Sequence, residues 1–160
     1  MAVYSLYFRQ LIPSSADRSP TLDKVWSFFS NPANLPLITP PAMQFRVTSK
    51  PQGDRIYAGQ LIEYRLRPLP LMYAYWLTEI THVSEGLYFV DEQRRGPYSL
   101  WHHQHHFKEI PGGVEMTDIV HYAIPFGWIG TVANRLLVAR QLDEVFRYRR
   151  ERVEEIFGKF

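Results

Sequence analysis

From Met43 to Ile124 the chain offers six consecutive stretches that read as β-strands. They are "MQFRVTSK", "GQLIEYRL", "MYAYWLTEITHV", "LYFVDEQR", "SLWHHQHHFKEI" and "VEMTDIVHYAI". Each alternates apolar with polar residues or is rich in β-branched and aromatic ones. The turn signals "PQGDR", "RPLP", "SEG", "RGPY" and "PGG" separate them. Connections this short cannot carry a parallel crossover, which takes about a dozen residues or more. Strands adjacent in sequence should therefore pair side by side as an antiparallel meander.

The flanks of this run supply the rest of an α+β fold. "AVYSLYFRQLI" alternates and is rich in Tyr, Phe and Val, which predicts a seventh strand ahead of the six. In "SSADRSPTLDKVWSFFSNP" a helix should begin at Ser19 as cap, with Pro20 in the first position and Asp23 at the positive end of the dipole. It should stop near Asn31, because Pro32 disfavours helical geometry in the residue before it. "ANLPLITPP" leaves room for one short helical turn before Pro40 and Pro41. At the other end, Ile129, Val132, Leu136, Leu142, Val145, Arg149, Val153 and Ile156 recur at helical spacing, with Arg149 breaking the apolar stripe. A helix of about 28 residues would span about 42 Å, enough to cross a whole sheet. The charge run "RYRRERVEE" reads as its solvated face.

The expected architecture is a seven-stranded curved antiparallel sheet, with two short helices after the first strand, wrapped around a long C-terminal helix. Its 160 residues suit one domain, 1–160. A curved sheet around a single helix leaves a space between them. Aromatic residues make up 15% of the chain, enough to wall a small-molecule pocket there. A formal net charge of +2 gives no argument for nucleic acid. The absence of cysteine excludes disulfides, thiolate metal sites and a cysteine nucleophile. No apolar run reaches membrane-spanning length and the start does not read as a signal peptide, so the expected setting is cytoplasmic. No dinucleotide, phosphate-loop or nucleophile-elbow motif is present, and neither a cofactor nor a metal is assigned.

"LWHHQHHF" holds His102, His103, His105 and His106, four of the six histidines. Side chains alternate across a strand, so Trp101, His103, His105 and Phe107 share one face. His102, Gln104, His106 and Lys108 share the other. The face with Trp and Phe should look inward; His102 and His106, about 13 Å apart, should be exposed and cannot share an ion. A turn centred on Pro111 and Gly112 sets Phe107 opposite Met116, His105 opposite Asp118, His103 opposite Val120 and Trp101 opposite Tyr122. A turn centred on Pro97 sets Gln93 opposite Trp101 and Asp91 opposite His103. Asp91, Gln93, His103, His105 and Asp118 then form one internal polar patch. It is open to three readings: a satisfied hydrogen-bond network, a polar anchor for an apolar ligand, or a metal or acid–base site. Tyr64, Trp76, Phe89, Trp101 and Tyr122 are the candidate apolar walls.

The segments "VWSFFSNPANLPLITPP", "FVDEQRRGPYSLWHHQHHF", "PGGVEMTDIVHYAIPFG" and "RYRRERVEEIF" resemble the START-like, helix-grip superfamily called SRPBCC. It includes polyketide cyclases, the birch-pollen allergen family and lipid-transfer START domains. The nearest likeness is to its bacterial single-domain ligand-binding group, in which Trp101, His103, His105, Phe107 and Asp118 look like signature positions. The resemblance implies a cavity between sheet and C-terminal helix that takes a small hydrophobic or amphipathic molecule: lipid-, polyketide- or aromatic-like. The alternative it leaves is a cyclase, dehydratase or hydrolase using His105 and Asp118 as an acid–base pair.

Overall fold

In the computed structural model, which describes residues 2–14, 21–50, 53–69 and 72–160, seven strands form one antiparallel sheet. They are β1 (Tyr4–Pro13), β2 (Arg46–Val47), β3 (Gln60–Leu69), β4 (Met72–Ser84), β5 (Tyr88–Arg95), β6 (Leu100–Ile110) and β7 (Gly113–Ala123). The order across the sheet is β1-β7-β6-β5-β4-β3-β2, so six strands run as a meander and β1 closes onto the last of them. Only two residues of the first stretch in that run, Arg46 and Val47, pair as a strand. Pro40 and Pro41 lead instead into a 3-10 turn at Pro41–Met43, and Gln44 takes a positive φ of 45° that ends it.

Helix α1 covers Thr21–Phe29 and presents Val25 and Trp26 to the core. Its expected cap, Ser19 and Pro20, lies outside the described residues. Asn31 does not extend the helix. Its side chain accepts a hydrogen bond from the Ala33 amide at 3.0 Å and starts a 3-10 helix over Pro32–Ile38. Trp26 packs edge-on against Phe89 and Phe107, at 5.9 and 5.4 Å between ring centroids, which fastens α1 to the concave face of the sheet.

The C-terminal helix differs from the single rod expected. It forms α2 (Gly127–Ala133), a π-helical turn over Asn134–Val138 and α3 (Ala139–Phe157). A π turn holds more residues than an α turn and so rotates the apolar stripe that follows it. Leu142, Phe146 and Val153 after the break are buried, whereas Ile129, Val132 and Leu136 before it are 55%, 49% and 66% exposed. Phe146 of α3 stacks on Phe8 of β1 at 4.2 Å, which seats the helix across the sheet.

Two features curve the sheet around α3. The β3–β4 register shifts between Leu66 and Leu69, and the β4–β5 register shifts at Leu77/Thr78 and Ile80/His82. Unpaired extra residues bend a strand and raise its twist. At the opposite edge Gly113 faces Pro13, and a Cβ on it would stand 1.9 Å from the Ile12 carbonyl oxygen. Gly113→Ala must push β1 off β7. We expect a loss of about 1–3 kcal/mol in urea unfolding, the ordinary cost of overpacking.

Candidate functional site

The β6–β7 ladder has the expected register. Trp101 faces Tyr122, His103 faces Val120, His105 faces Asp118 and Phe107 faces Met116. Trp101, His103, His105 and Phe107 are buried, and His102 and His106 lie on the outer face. There Nδ1 of His102 meets Glu92 at 2.9 Å and Nε2 of His106 meets the side-chain carbonyl of Gln104 at 2.9 Å. These half-buried contacts lie on the opposite side of the strand from the buried set.

Inside, two imidazoles and two carboxylates form a closed square. His103 Nε2–H donates to Asp118 Oδ1 at 3.0 Å, and His105 Nε2–H donates to Asp91 Oδ2 at 2.9 Å. The remaining nitrogens complete the figure as ion-pair contacts. His103 Nδ1 lies 3.4 Å from Asp91 Oδ2, and His105 Nδ1 lies 2.9 Å from Asp118 Oδ1, too oblique for a hydrogen bond. The two rings lean together to 3.8 Å between centroids, and His105 stacks on Phe89 at 4.1 Å. The square separates two apolar clusters, one around Trp26, Phe89 and Phe107 and one around Trp101, Tyr122 and Phe146.

The electrostatics shift all four groups. Burial would raise both carboxyl groups. For Asp118 the hydrogen bond from His103, the close contact of His105 and the charge of both rings outweigh it and hold the group far below the usual carboxylate range. For Asp91 the charge of His103, the hydrogen bond and charge of His105 and the charge of Arg149 hold it low as well. His105 is disfavoured by burial but raised on balance by its contacts with Asp118 and Asp91 and by their charge. His103 is lowered on balance, by burial and then by the charge of His105, against the opposing pull of Asp91 and Asp118. The ligand atoms of Asp91, His103 and His105 lie within 4.8 Å of one another. The same nitrogens hold the carboxylates, so turning them onto an ion would break the square.

One face of this square opens on a cavity of about 170 Å³ between sheet and α3. Tyr64, Trp76, Phe89, Asp91, Trp101, His103 and His105 line it, as the sequence led us to expect. Three expected residues do not. Asp118 lies behind the imidazoles and holds them. Tyr122 is 1% exposed and packs against Tyr4, Tyr98 and Trp101. Gln93 is not opposite Trp101, because the β5–β6 ladder ends at Glu92–His102 and the chain then turns away. Its side-chain amide donates to the Tyr98 carbonyl at 2.6 Å and accepts from the Tyr98 amide at 3.2 Å, bracing that turn.

The structure also brings in residues that the strand patterns did not single out. Tyr98 from the β5–β6 turn, Phe45, Leu35 and Ile38 from the 3-10 region, and Leu142, Phe146 and Arg149 from α3 complete the walls. Arg149 is the largest departure from expectation. It belongs to the charge run read as solvated, yet its side chain is only 11% exposed. Its place in the 142–146–149–153 stripe carried the signal. The guanidinium lies 5.0 Å over the Phe146 ring, and its Nη1 is 3.8 Å from Asp118 Oδ1, beyond hydrogen-bond reach. Its Nε and Nη1 are buried with no acceptor. A buried donor left this way costs about 1–3 kcal/mol, more for a charged group.

No family model and no curated protein matches the chain. Solved structures do match it. A Chromobacterium violaceum protein superposes with a TM-score of 0.70 at 6% identity, over 98% of this chain and 99% of that one. A Thermus thermophilus protein, TTHA0849, gives 0.68 at 15%, over 96% and 99%. Ginseng major latex-like protein 151 from Panax ginseng gives 0.66 at 13%, over 97% of both chains. At such identities the likeness is one of fold. Among the described residues no helix is long and apolar enough to cross a membrane. The chain therefore has the α+β helix-grip fold, an open seven-stranded antiparallel sheet closed by a long C-terminal helix.

Proposed function

We propose that this chain is a ligand-binding protein of the bacterial single-domain SRPBCC kind, holding a compact apolar molecule with a polar end between sheet and α3. The observation that carries this reading is the cavity itself. Aromatic and aliphatic side chains make up most of its walls, and charged or titratable groups enter the lining at Asp91, His103 and His105 from the sheet and at Arg149 from α3. Such a lining takes up an apolar body and orients one end. A volume of about 170 Å³ lies below the ~300–1,000 Å³ usual for drug-sized ligands, which favours a ring-sized molecule over a long acyl chain. Burying about 300 Å² of apolar ligand at roughly 25 cal/mol per Å² yields about 7 kcal/mol before entropy costs, which sets micromolar binding as the upper limit for the walls alone.

Binding fits better than proton transfer by His105. A general base needs a nitrogen facing the substrate, and both nitrogens of His105 face carboxylate oxygens at 2.9 Å. Trp101→Ala provides the test. Trp101 lines the cavity and meets Trp76 edge-on at 5.1 Å. With the neutral two-ring fluorophore 2-naphthalenemethanol as probe, the wild type should show saturable binding, and the variant should bind about tenfold more weakly while still folded. Absence of saturable binding by the wild type, with no small molecule seen in its native mass spectrum, would overturn the reading.

A further inference from the structure

The square of His103, His105, Asp91 and Asp118 is closed on itself. Each carboxylate faces two imidazole nitrogens, at 3.0 and 2.9 Å for Asp118 Oδ1 and at 3.4 and 2.9 Å for Asp91 Oδ2. Arg149 stands outside that arrangement. It reaches the cavity from α3, on the same helical stripe as Leu142 and Phe146. Neither its Nε nor its Nη1 donates to any acceptor, and Asp118 Oδ1, the nearest carboxylate oxygen, is already engaged by both rings. Arginine stays charged at every pH a protein meets, and its guanidinium matches oxyanions in geometry and charge. A permanent cation held over the Phe146 ring at the edge of an apolar cavity, with its nearest carboxylate oxygen 3.8 Å away and two donors unused, lacks the close acceptor that a ligand can bring.

From this geometry we infer that the cavity selects an organic anion: a carboxylate carried on a compact apolar body, its oxygens taken by Arg149 and its body by Tyr64, Trp76 and Trp101. The inference rests on the cavity-binding reading above and adds the chemical class of the ligand. The polar part of the lining then divides into two tasks. The His–Asp square fixes the sheet wall, and Arg149 reads the head of the ligand. A neutral molecule of the same shape would fill the same walls and leave both donors unpaired.

A matched pair of probes tests it. 2-Naphthoic acid and 2-naphthalenemethanol share an apolar body and differ in the head. Isothermal titration at pH 7.5 should show the wild type binding the acid about tenfold or more tighter than the alcohol, as a charge-assisted pair predicts. Arg149→Gln should abolish that preference, bringing acid and alcohol to within about threefold of each other, while Arg149→Lys, which keeps the charge without the fork, should retain part of it. Equal binding of acid and alcohol by the wild type would overturn the inference and leave the cavity reading standing. So would an acid preference that survives Arg149→Gln. Failure of the wild type to bind either probe would overturn both. Should Arg149→Gln not fold, the wild-type ratio and the lysine variant still decide the matter.

Discussion

Asp118→Asn should cost the fold about 3–5 kcal/mol at neutral pH, the range for removing one partner from a buried ion pair. Asp118 is 5% exposed and sits beneath both imidazoles, with Arg149 beyond them. The amide keeps the shape and can leave its oxygen facing both rings, but it carries no charge to balance the buried imidazoles and Arg149. Urea unfolding at constant slope would measure the loss; a change under about 1 kcal/mol would show that the square is a weak contributor.

The same residue dictates the acid limb of the stability curve. Asp118 and Asp91 are held low in the fold, so their contribution is complete above the ordinary carboxylate value of about 3.9 and is lost as pH falls from there through their folded values. His105 is held high, so its contribution is complete below about 6.5 and is lost as pH rises through its folded value. His103 is held low and behaves oppositely, losing its contribution as pH falls below about 6.5. The two histidines therefore act in adjacent windows, both contributions being complete at about pH 6.5, with His103 adding to the loss below it and His105 to the loss above it, and the carboxylates take over below about pH 4. Removing one of them should make stability fall less steeply below pH 4, by about 1.4 kcal/mol per pH unit at most.

Phe107→Ala should be equally costly, at about 3–5 kcal/mol, and should leave ligand affinity little changed. Phe107 shares a strand and a face with Trp101, but it points into the closed half of the core. It is 3% exposed and contacts the rings of Trp26, Phe29 and Phe89 at 5.4, 5.7 and 6.1 Å. Truncation there opens a void among packed rings. Trp101, by contrast, already borders a space, so losing its ring enlarges an existing cavity. Thermal melting of the two variants beside probe titrations would separate the roles: stability should follow residue 107 and affinity residue 101.

How much of this was legible in the chain depends on how local the determinant is. The β6–β7 register followed from "PGG" and two alternating strands, because a tight turn fixes pairing and a slip of one residue would expose Phe107 and Trp101 together. The pairing of Asp91 with His103 followed in the same way. Gln93 was misplaced because the chain leaves the ladder before reaching it, and no pattern in "RRGPYS" marks where pairing ends. The C-terminal helix was legible as helical but not as broken. Its apolar stripe reads continuously in sequence, while the π turn at Asn134–Val138 turns the first half of it to solvent.

By itself, then, the sequence determined which residues lie on which face of each strand, and so the inward set of Trp101, His103, His105 and Phe107. Period-two alternation and turn length are short-range steric facts that leave little choice once one face must avoid water. Only the tertiary structure decided that these residues open on a cavity, that Tyr98 and Phe45 help enclose it, and that Arg149 points into it. Those outcomes depend on where α3 comes to rest against a bent sheet. Contacts between residues far apart in the chain set that position, and no local pattern encodes it.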